Sequence, residues 1–521
     1  MAVTNEPPLG LQSRTLLQGQ ITYDQAKQRE VNMIQELSYV DARHVFFAHL
    51  DRRRNSIRAT VARHLGVPPA DCTVANQEHW FHGSFNVCIE VEVKRGADVL
   101  IRFPLPYRIG EDVHPGNADE KVRSEVATYV WLQENCPDVP IPFLYGFGLS
   151  TGQTFTHHSY VNILSRGLQH WRMTHTKSKR LPLLSSYTRT HQSGLDVPYV
   201  LIEYIDPEQG EELSRTWPEG RSDLQRRSNL FCGLSKIMLS LARYPMPRIG
   251  SLTINDSGYV DLLNRPLTIA VQHSENDHMR FRIREEAEID PHEQSTHVTV
   301  DSYVHDLLAI HGDRLDHQPN AVIGADDALS QANAVVVMRS VWTNFFRRRR
   351  GPFFLSLTDL NQGNIFVDEA WNITAIVDLE WSCSLPVEML HPPHWLTNEA
   401  LDDIHPQKYQ VLHTEFMQIF REIERRQVTE REPASPLLHP IVEQGLERGT
   451  FWFSLALMRP PVLCAILYEK ILPYFKKISG TSGGSAGFIA TLFKLDTTAW
   501  LQRKLADKEA YDRDLERTFR S

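Results

Sequence analysis

The sequence predicts an α+β chain of two lobes, a small N-terminal one rich in strands and a large, mainly helical C-terminal one. Three observations predict it. After Cys72, apolar and polar residues alternate with the period of two that a half-buried strand shows. From Asp223 onward apolar residues recur with a helical period. Inside that helical part, two short apolar runs at 365–367 and 373–377 are close enough to form a β-hairpin. A chain of 521 residues holds two to four domains or one elaborated two-lobed molecule, and 41% hydrophobic residues suffice for sizeable cores.

Residues 1–70 are polar with helical spacing and read as an N-terminal helical extension, stopped at Gly66 and the pair Pro68-Pro69. Residues 71–205 make the N-lobe. There 85–93 alternates as a strand, Arg95-Gly96-Ala97-Asp98 turns, and 99–103 returns. A helix over 119–134 follows, with Val122, Val126, Tyr129, Val130, Trp131 and Leu132 on its apolar side. Residues 150–196 are rich in Ser, Thr, His and Arg without sustained periodicity, and read as an insertion or a partly disordered stretch. Residues 197–205 read as a buried strand.

Residues 206–397 make the C-lobe. A helix from about Asp223 places Leu230, Leu234, Ile237 and Leu241 on one stripe, and 270–330 is a polar, His-rich insertion of unassigned structure. Residues 398–521 are mostly helical, an acceptor-side or interaction surface, with 451–458 as a buried helix and 480–487 as a Gly/Ser-rich loop.

Net charge is −9, from 55 basic and 64 acidic residues, which argues against a dedicated nucleic-acid or anionic-membrane binder. The run Arg347-Arg348-Arg349-Arg350 goes against that trend and reads first as a solvated helix end. Six scattered cysteines without C-x-x-C spacing suggest a reducing compartment. No secretory pattern opens the sequence, and no apolar stretch approaches the roughly 18 residues of a membrane span. The expectation is a cytoplasmic protein.

The chemistry concentrates in Thr358-Asp359-Leu360-Asn361-Gln362-Gly363-Asn364-Ile365-Phe366-Val367-Asp368, followed by Ile376-Val377-Asp378-Leu379-Glu380-Trp381. Asp359 and Asn364 are five apart, the spacing of a catalytic base and a metal-binding amide in kinase catalytic loops. A hairpin sets the start of its first strand beside the end of its second, roughly 5 Å apart, which brings Asn364 to Asp378. With Asp359, three oxygen-bearing side chains then converge in a manner suited to Mg²⁺, a hard cation. Phosphoryl transfer needs such a set, one carboxylate to take the acceptor proton and two oxygens to hold the metal.

These two motifs resemble those of the aminoglycoside phosphotransferase and choline kinase-like family, and more closely its fungal-type branch. The resemblance covers about residues 75–400. It implies a protein-kinase-like fold, ATP as donor, Asp359 as catalytic base, and Asn364 and Asp378 as metal ligands. It also implies that Gly83, Ser84, Phe85 and Asn86 belong to a nucleotide-covering loop. Arg102 stands where the family has its phosphate-contacting Lys, with Glu125 as its partner, and Glu203 and Ile205 lie in the hinge that meets adenine. Two departures stand out: Leu357 replaces a loop-organising His, and Arg102 replaces a Lys, a planar fork for a compact ammonium.

The leading expectation is thus an ATP- and Mg²⁺-dependent phosphotransferase acting on a small-molecule hydroxyl. The short segment after Asp378 and the lack of an Ala-Pro-Glu motif disfavour a protein substrate. The alternative is a nucleotide-binding pseudokinase or scaffold, motivated by Leu357, Arg102 and the long insertions. Glu399, Asp402 and Asp403 read first as exposed helix acids and second as groups that would meet a cationic acceptor.

Overall fold

The alternating residues after Phe85 form a strand in the structure, a computed structural model that describes residues 13–94, 96–161, 180–190, 192–269, 271–272, 296–428, 437–473 and 497–520. After a short ribbon (Arg14–Thr15 with Gln20–Ile21) and a five-residue helix (Tyr23–Lys27) come α1 (Met33–Arg52) and α2 (Arg54–Leu65), and α2 ends on Gly66 at φ 68°, a conformation glycine adopts without steric cost. There follow β1 (Cys72–Val74), β2 (Phe81–His82), β3 (Asn86–Val93), β4 (Val99–Pro104), helix α3 (Asn117–Asn135), β5 (Leu144–Gly148), β6 (Thr154–His157), β7 (Tyr187–Arg189) and β8 (Tyr199–Glu203). These strands pair antiparallel in the order β7-β6-β5-β8-β4-β3-β1, with β2 also on β3.

Period-two alternation divides this sheet between two cores. Tyr199 and Leu201 of β8 pack with Val87 and Ile89 against Phe47, Leu50, Ile57 and Val61 of α1 and α2. Val200 and Ile202, one residue out of phase, pack against Val122, Val126 and Val130 of α3. The helices expected as an N-terminal extension therefore supply half of the sheet's own core. Helix α3 is buried on nearly every side, because it fills the space between the sheet and the helical region.

The C-terminal region begins with α4 (Leu224–Leu241), whose N-cap Asp223 accepts from the backbone N–H groups of Gln225 and Arg226. Its apolar stripe splits, Leu230 and Leu234 facing Trp217, Trp371 and Phe416 while Ile237 and Leu241 join the core of α3. A hairpin, β9 (Ser251–Ile254) and β10 (Tyr259–Asn264), packs on α3. Next come α5 (Val300–His317), α6 (Ala325–Val341), the strands β11 (Phe353–Leu357), β12 (Ile365–Val367), β13 (Ile373–Ile376) and β14 (Ser382–Pro386), and then α7 (Pro406–Val428), α8 (His439–Glu447), α9 (Thr450–Met458) and α10 (Thr497–Arg520). Helix α10 returns to the start of the chain, where Tyr511, Leu515 and Phe519 bury Leu16, Ile21 and Met33.

The two stretches read as insertions contain regular elements, with residues 270 and 273–295 outside the described residues. Within 150–196, β6 and β7 extend the main sheet, although residues 162–179 and 191 lie outside the described residues. Within 270–330, α5 starts at a Thr299 cap and is amphipathic. The Gly/Ser-rich loop at 480–487 lies outside the described residues. The Arg347–350 run follows α6, where the backbone N–H groups of Arg347 and Arg348 donate to Glu388, and Arg349 pairs with Asp301 across the Trp342 ring. Among the described residues no helix is long and apolar enough to cross a membrane.

Candidate functional site

Two nested antiparallel ladders build the site. The outer one pairs β11 with β14, ending at Leu357↔Ser382, and the inner one pairs β12 with β13, starting at Ile365↔Ile376. The residues between the ladders, 358–364 on one side and 377–381 on the other, are thereby held face to face. Thr358 N–H donates to the Trp381 carbonyl at 3.2 Å and Val377 N–H to the Asn364 carbonyl at 3.0 Å. The indole of Trp395 fixes the loop by donating to the Leu360 carbonyl at 2.9 Å.

Asp359, Asn364 and Asp378 all lie in this gap. The Asn364 amide donates to the Asp359 carbonyl at 2.8 Å and to its carboxylate at 3.2 Å, and Asn361 donates to the other carboxylate oxygen at 3.2 Å. Burial raises the Asp359 carboxyl to about 6, opposed by Arg459 and Asn361 and assisted by Asp378 and Glu380. Asp378 adopts the left-handed region at φ 58°, uncommon outside glycine, so its backbone is strained where its carboxylate is presented.

Across the cleft, Arg102 of β4 donates to Glu125 of α3 at 2.8 Å, as the Arg–Glu pairing expected from sequence requires. It also reaches Asp378 and, at 3.4 Å, Glu380. Lys121 lies one helical turn before Glu125, on the same face of α3, and donates to Glu380 at 2.5 Å and to Asn86 at 2.7 Å. The Asn86 amide donates to Glu380 at 2.6 Å. Arg102, Lys121, Glu125 and Glu380 are each 4% exposed or less. Two cations thus face three carboxyl groups, of which burial raises Glu125 to about 7, and Asp378, with its side chain 36% exposed, is the one that reaches the open cleft.

Gly83, Ser84 and Phe85 form the turn from β2 to β3, with Gly83 N–H donating to the Asn86 carbonyl at 3.0 Å. Arg108 donates to the Ser84 carbonyl at 2.9 Å, and the Phe85 ring packs edge-on against Trp381, centroids 4.8 Å apart. A side chain at Gly83 would meet nothing within 4 Å, so the turn borders open space. Glu203 and Ile205 lie farther off. Glu203 pairs with Val99, three strand residues or roughly 10 Å from Arg102. It is tied to Phe143, accepting from its N–H at 3.1 Å and donating its own N–H to that residue's carbonyl at 2.8 Å.

Behind Asp359 opens a cavity of about 210 Å³, walled by apolar side chains of α4, β11 and α9, among them Ile237, Leu357, Phe451 and Met458. Its charged lining residues are Asp359 and Arg459. Burial lowers His391 to about 3 and His394 to about 4, so both line it as neutral imidazoles near pH 7. Glu399, Asp402 and Asp403 do not line it. Glu399 is bound to His405 and Lys408 at the start of α7, and Asp402 and Asp403 are exposed.

Among the described residues no group of three or more His, Cys, Asp and Glu side chains could hold a metal ion. What the cleft offers is sparser: the Asn364 side-chain oxygen Oδ1, which accepts no hydrogen bond among the described residues, and the half-exposed Asp378 carboxylate. These are hard oxygen donors, a set that suits a cation bringing most of its own ligands. Lys121, Glu380 and Arg459 were not foreseen. Glu380 is in the quoted motif and Arg459 ends an apolar helix before Pro460-Pro461, a charge in an otherwise dry segment that could have drawn notice. Compared with protein-family models and with curated proteins, the chain matches none, so the site rests on its own geometry.

Proposed function

We propose that this chain is a kinase-like phosphotransferase of the aminoglycoside phosphotransferase type, using ATP and Mg²⁺ to phosphorylate a small-molecule hydroxyl. The observation that carries the reading is the gap between the two ladders, where Asp359 and Asn364 touch and Asp378 faces the Arg102–Glu125 pair. Asp359 accepts the proton of the acceptor hydroxyl as that oxygen bonds to the terminal phosphorus of ATP. The bond from this phosphorus to the β–γ bridging oxygen breaks, and ADP leaves. A carboxyl near 6 is poised for that proton. Asn364 and Asp378 would hold Mg²⁺, which supplies charge neutralisation of the nucleotide phosphates. The turn at Gly83–Asn86 covers the nucleotide, and Glu203 and Ile205 form the adenine-side hinge. Six free cysteines fit a reducing, cytoplasmic setting.

The test is ATP turnover by the full chain against a panel of small alcohols, with and without chelator. Chelation abolishes it, and Asp359→Asn lowers kcat by about 10²–10⁴-fold. Undiminished turnover in Asp359→Asn refutes the assignment. One observation favours a second reading as a nucleotide-binding pseudokinase: Arg102 is 4% exposed and already engaged by three carboxylates. A thermal shift with ATP and Mg²⁺, without turnover on any acceptor, would select it.

A further inference from the structure

Arg459 carries the strongest observation that the proposed reaction leaves unused. It follows the last residue of α9 and precedes Pro460-Pro461, which stops the helix and fixes the direction of the chain there. Its guanidinium lines the cavity behind Asp359, half-buried, and among the described residues it makes no ion pair and no side-chain hydrogen bond. Arginine stays charged in proteins, so a guanidinium withdrawn from water needs an anion. Burial does lower Arg459, and Asp359 is the one opposing charge, acting through space without contact. Two charged groups of opposite sign therefore line one apolar cavity and do not touch.

We propose that the acceptor is a small hydroxy acid: an apolar body, an anionic group of carboxylate type held by Arg459, and a hydroxyl at Asp359. Among the residues that line the cavity an ammonium group meets no carboxylate except Asp359, the group that must take the hydroxyl proton, and the imidazoles there are neutral. A planar fork, by contrast, takes a carboxylate through two parallel hydrogen bonds. The volume of about 210 Å³ is below the roughly 300–1,000 Å³ of ordinary ligand pockets, so the acceptor is compact. This replaces the cationic acceptor that the acids at 399–403 suggested, since none of them reaches the cavity. The inference names the acceptor class for the phosphotransfer proposed above and rests on that reading.

The experiment uses the full chain with ATP and Mg²⁺ and matched acceptor triplets, such as 3-phenyllactate, its primary amide and 1-amino-3-phenylpropan-2-ol, extended to short alkyl hydroxycarboxylates. Binding is measured by calorimetry and transfer by ADP release. The expected result is a preference of at least tenfold in kcat/KM for the carboxylate over its amide, and a larger one over the amine. Arg459→Met should erase the preference through KM, with the amide nearly unaffected, and Arg459→Lys should restore part of it. An amine or amide that equals the carboxylate overturns the proposal. So does an equal loss of kcat in Arg459→Met for all three acceptors, which would place Arg459 on the transferred phosphoryl group. Failure of every carboxylate to bind also overturns it. Arg459-dependent binding of the carboxylate without transfer upholds the anion site and refutes the phosphotransferase reading instead.

Discussion

Asp359 is held between influences of opposite sign. Burial, Asp378 and Glu380 raise its carboxyl, Arg459 and Asn361 lower it, and the balance is about 6 against an ordinary 3.8. The proton-accepting carboxylate therefore prevails above about pH 6. Below that point kcat/KM should fall about tenfold per pH unit. Arg459→Met removes a lowering influence and should shift the inflection upward. A rate profile that stays flat to pH 5 would remove Asp359 from the base role. Arg102 supports a second expectation. Arg102→Ala leaves Glu125, 1% exposed, without its ion-pair partner, and breaking a buried pair this way costs about 3–5 kcal/mol, readable in urea unfolding. Arg102→Lys, keeping the charge but not the fork, should lose less. The five-residue spacing made Asp359 and Asn364 legible as neighbours, and Arg102 and Glu125 were expected as a pair on adjoining elements, which they form. Lys121 and Glu380 were illegible for a physical reason: they are 259 positions apart, and only the packing of α3 against the segment after β13 brings them together.

At the scale of elements, the hairpin of β12 and β13 determines where Asn364 and Asp378 stand. Its turn is closed by Asp368, whose carboxylate accepts from the N–H groups of Ala370 and Asn372 at 3.0 and 2.8 Å. Those bonds, with the Asn372 amide at 2.8 Å, hold Trp371 at φ 63° so that its ring stacks on Trp217. Asp368→Ala should cost about 1 kcal/mol, as losing a side-chain cap does, and lower turnover without touching any reacting group. Unchanged stability would show that the Trp371 packing alone sets the turn. The hairpin was legible because its apolar runs were short and bounded by Asp and Asn. Strands β6 and β7 were not, since β6 buries Thr154 and Thr156 instead of alternating apolar residues. The Thr156 hydroxyl meets His64 at 2.8 Å and Thr190 at 3.1 Å, a polar seam with no hydrophobic period to read.

Across the whole molecule, the same buried histidines predict how both regions respond to acid. His64 lies under the sheet between Thr156 and Tyr199, at 2.8 and 2.7 Å, and burial lowers it to about 3. His311, in the helical region, bonds to the Leu457 carbonyl at 2.9 Å, and His413 lies in α7; burial lowers both to about 4. All three are under 5% exposed. With folded values below the unfolded one of about 6.5, the unfolded chain binds protons that the folded chain refuses. Each histidine therefore removes stability as pH falls from about 6.5 toward 4, at up to about 1.4 kcal/mol per pH unit. The raised carboxyls of Asp359 and Glu125 act in the opposite sense over part of that window, because the folded chain keeps their protons. Burial also lowers His157, His391 and His394, so the histidines outweigh the carboxyls. The urea midpoint should accordingly fall between pH 7.5 and 5.5. His311→Gln, which keeps a donor for the Leu457 carbonyl but cannot titrate, should flatten that dependence by up to one proton's worth, even if it lowers stability at every pH. An unaltered slope in His311→Gln would mean that this imidazole is already protonated in the fold, and the dry packing of α5 against α9 would then have to admit water.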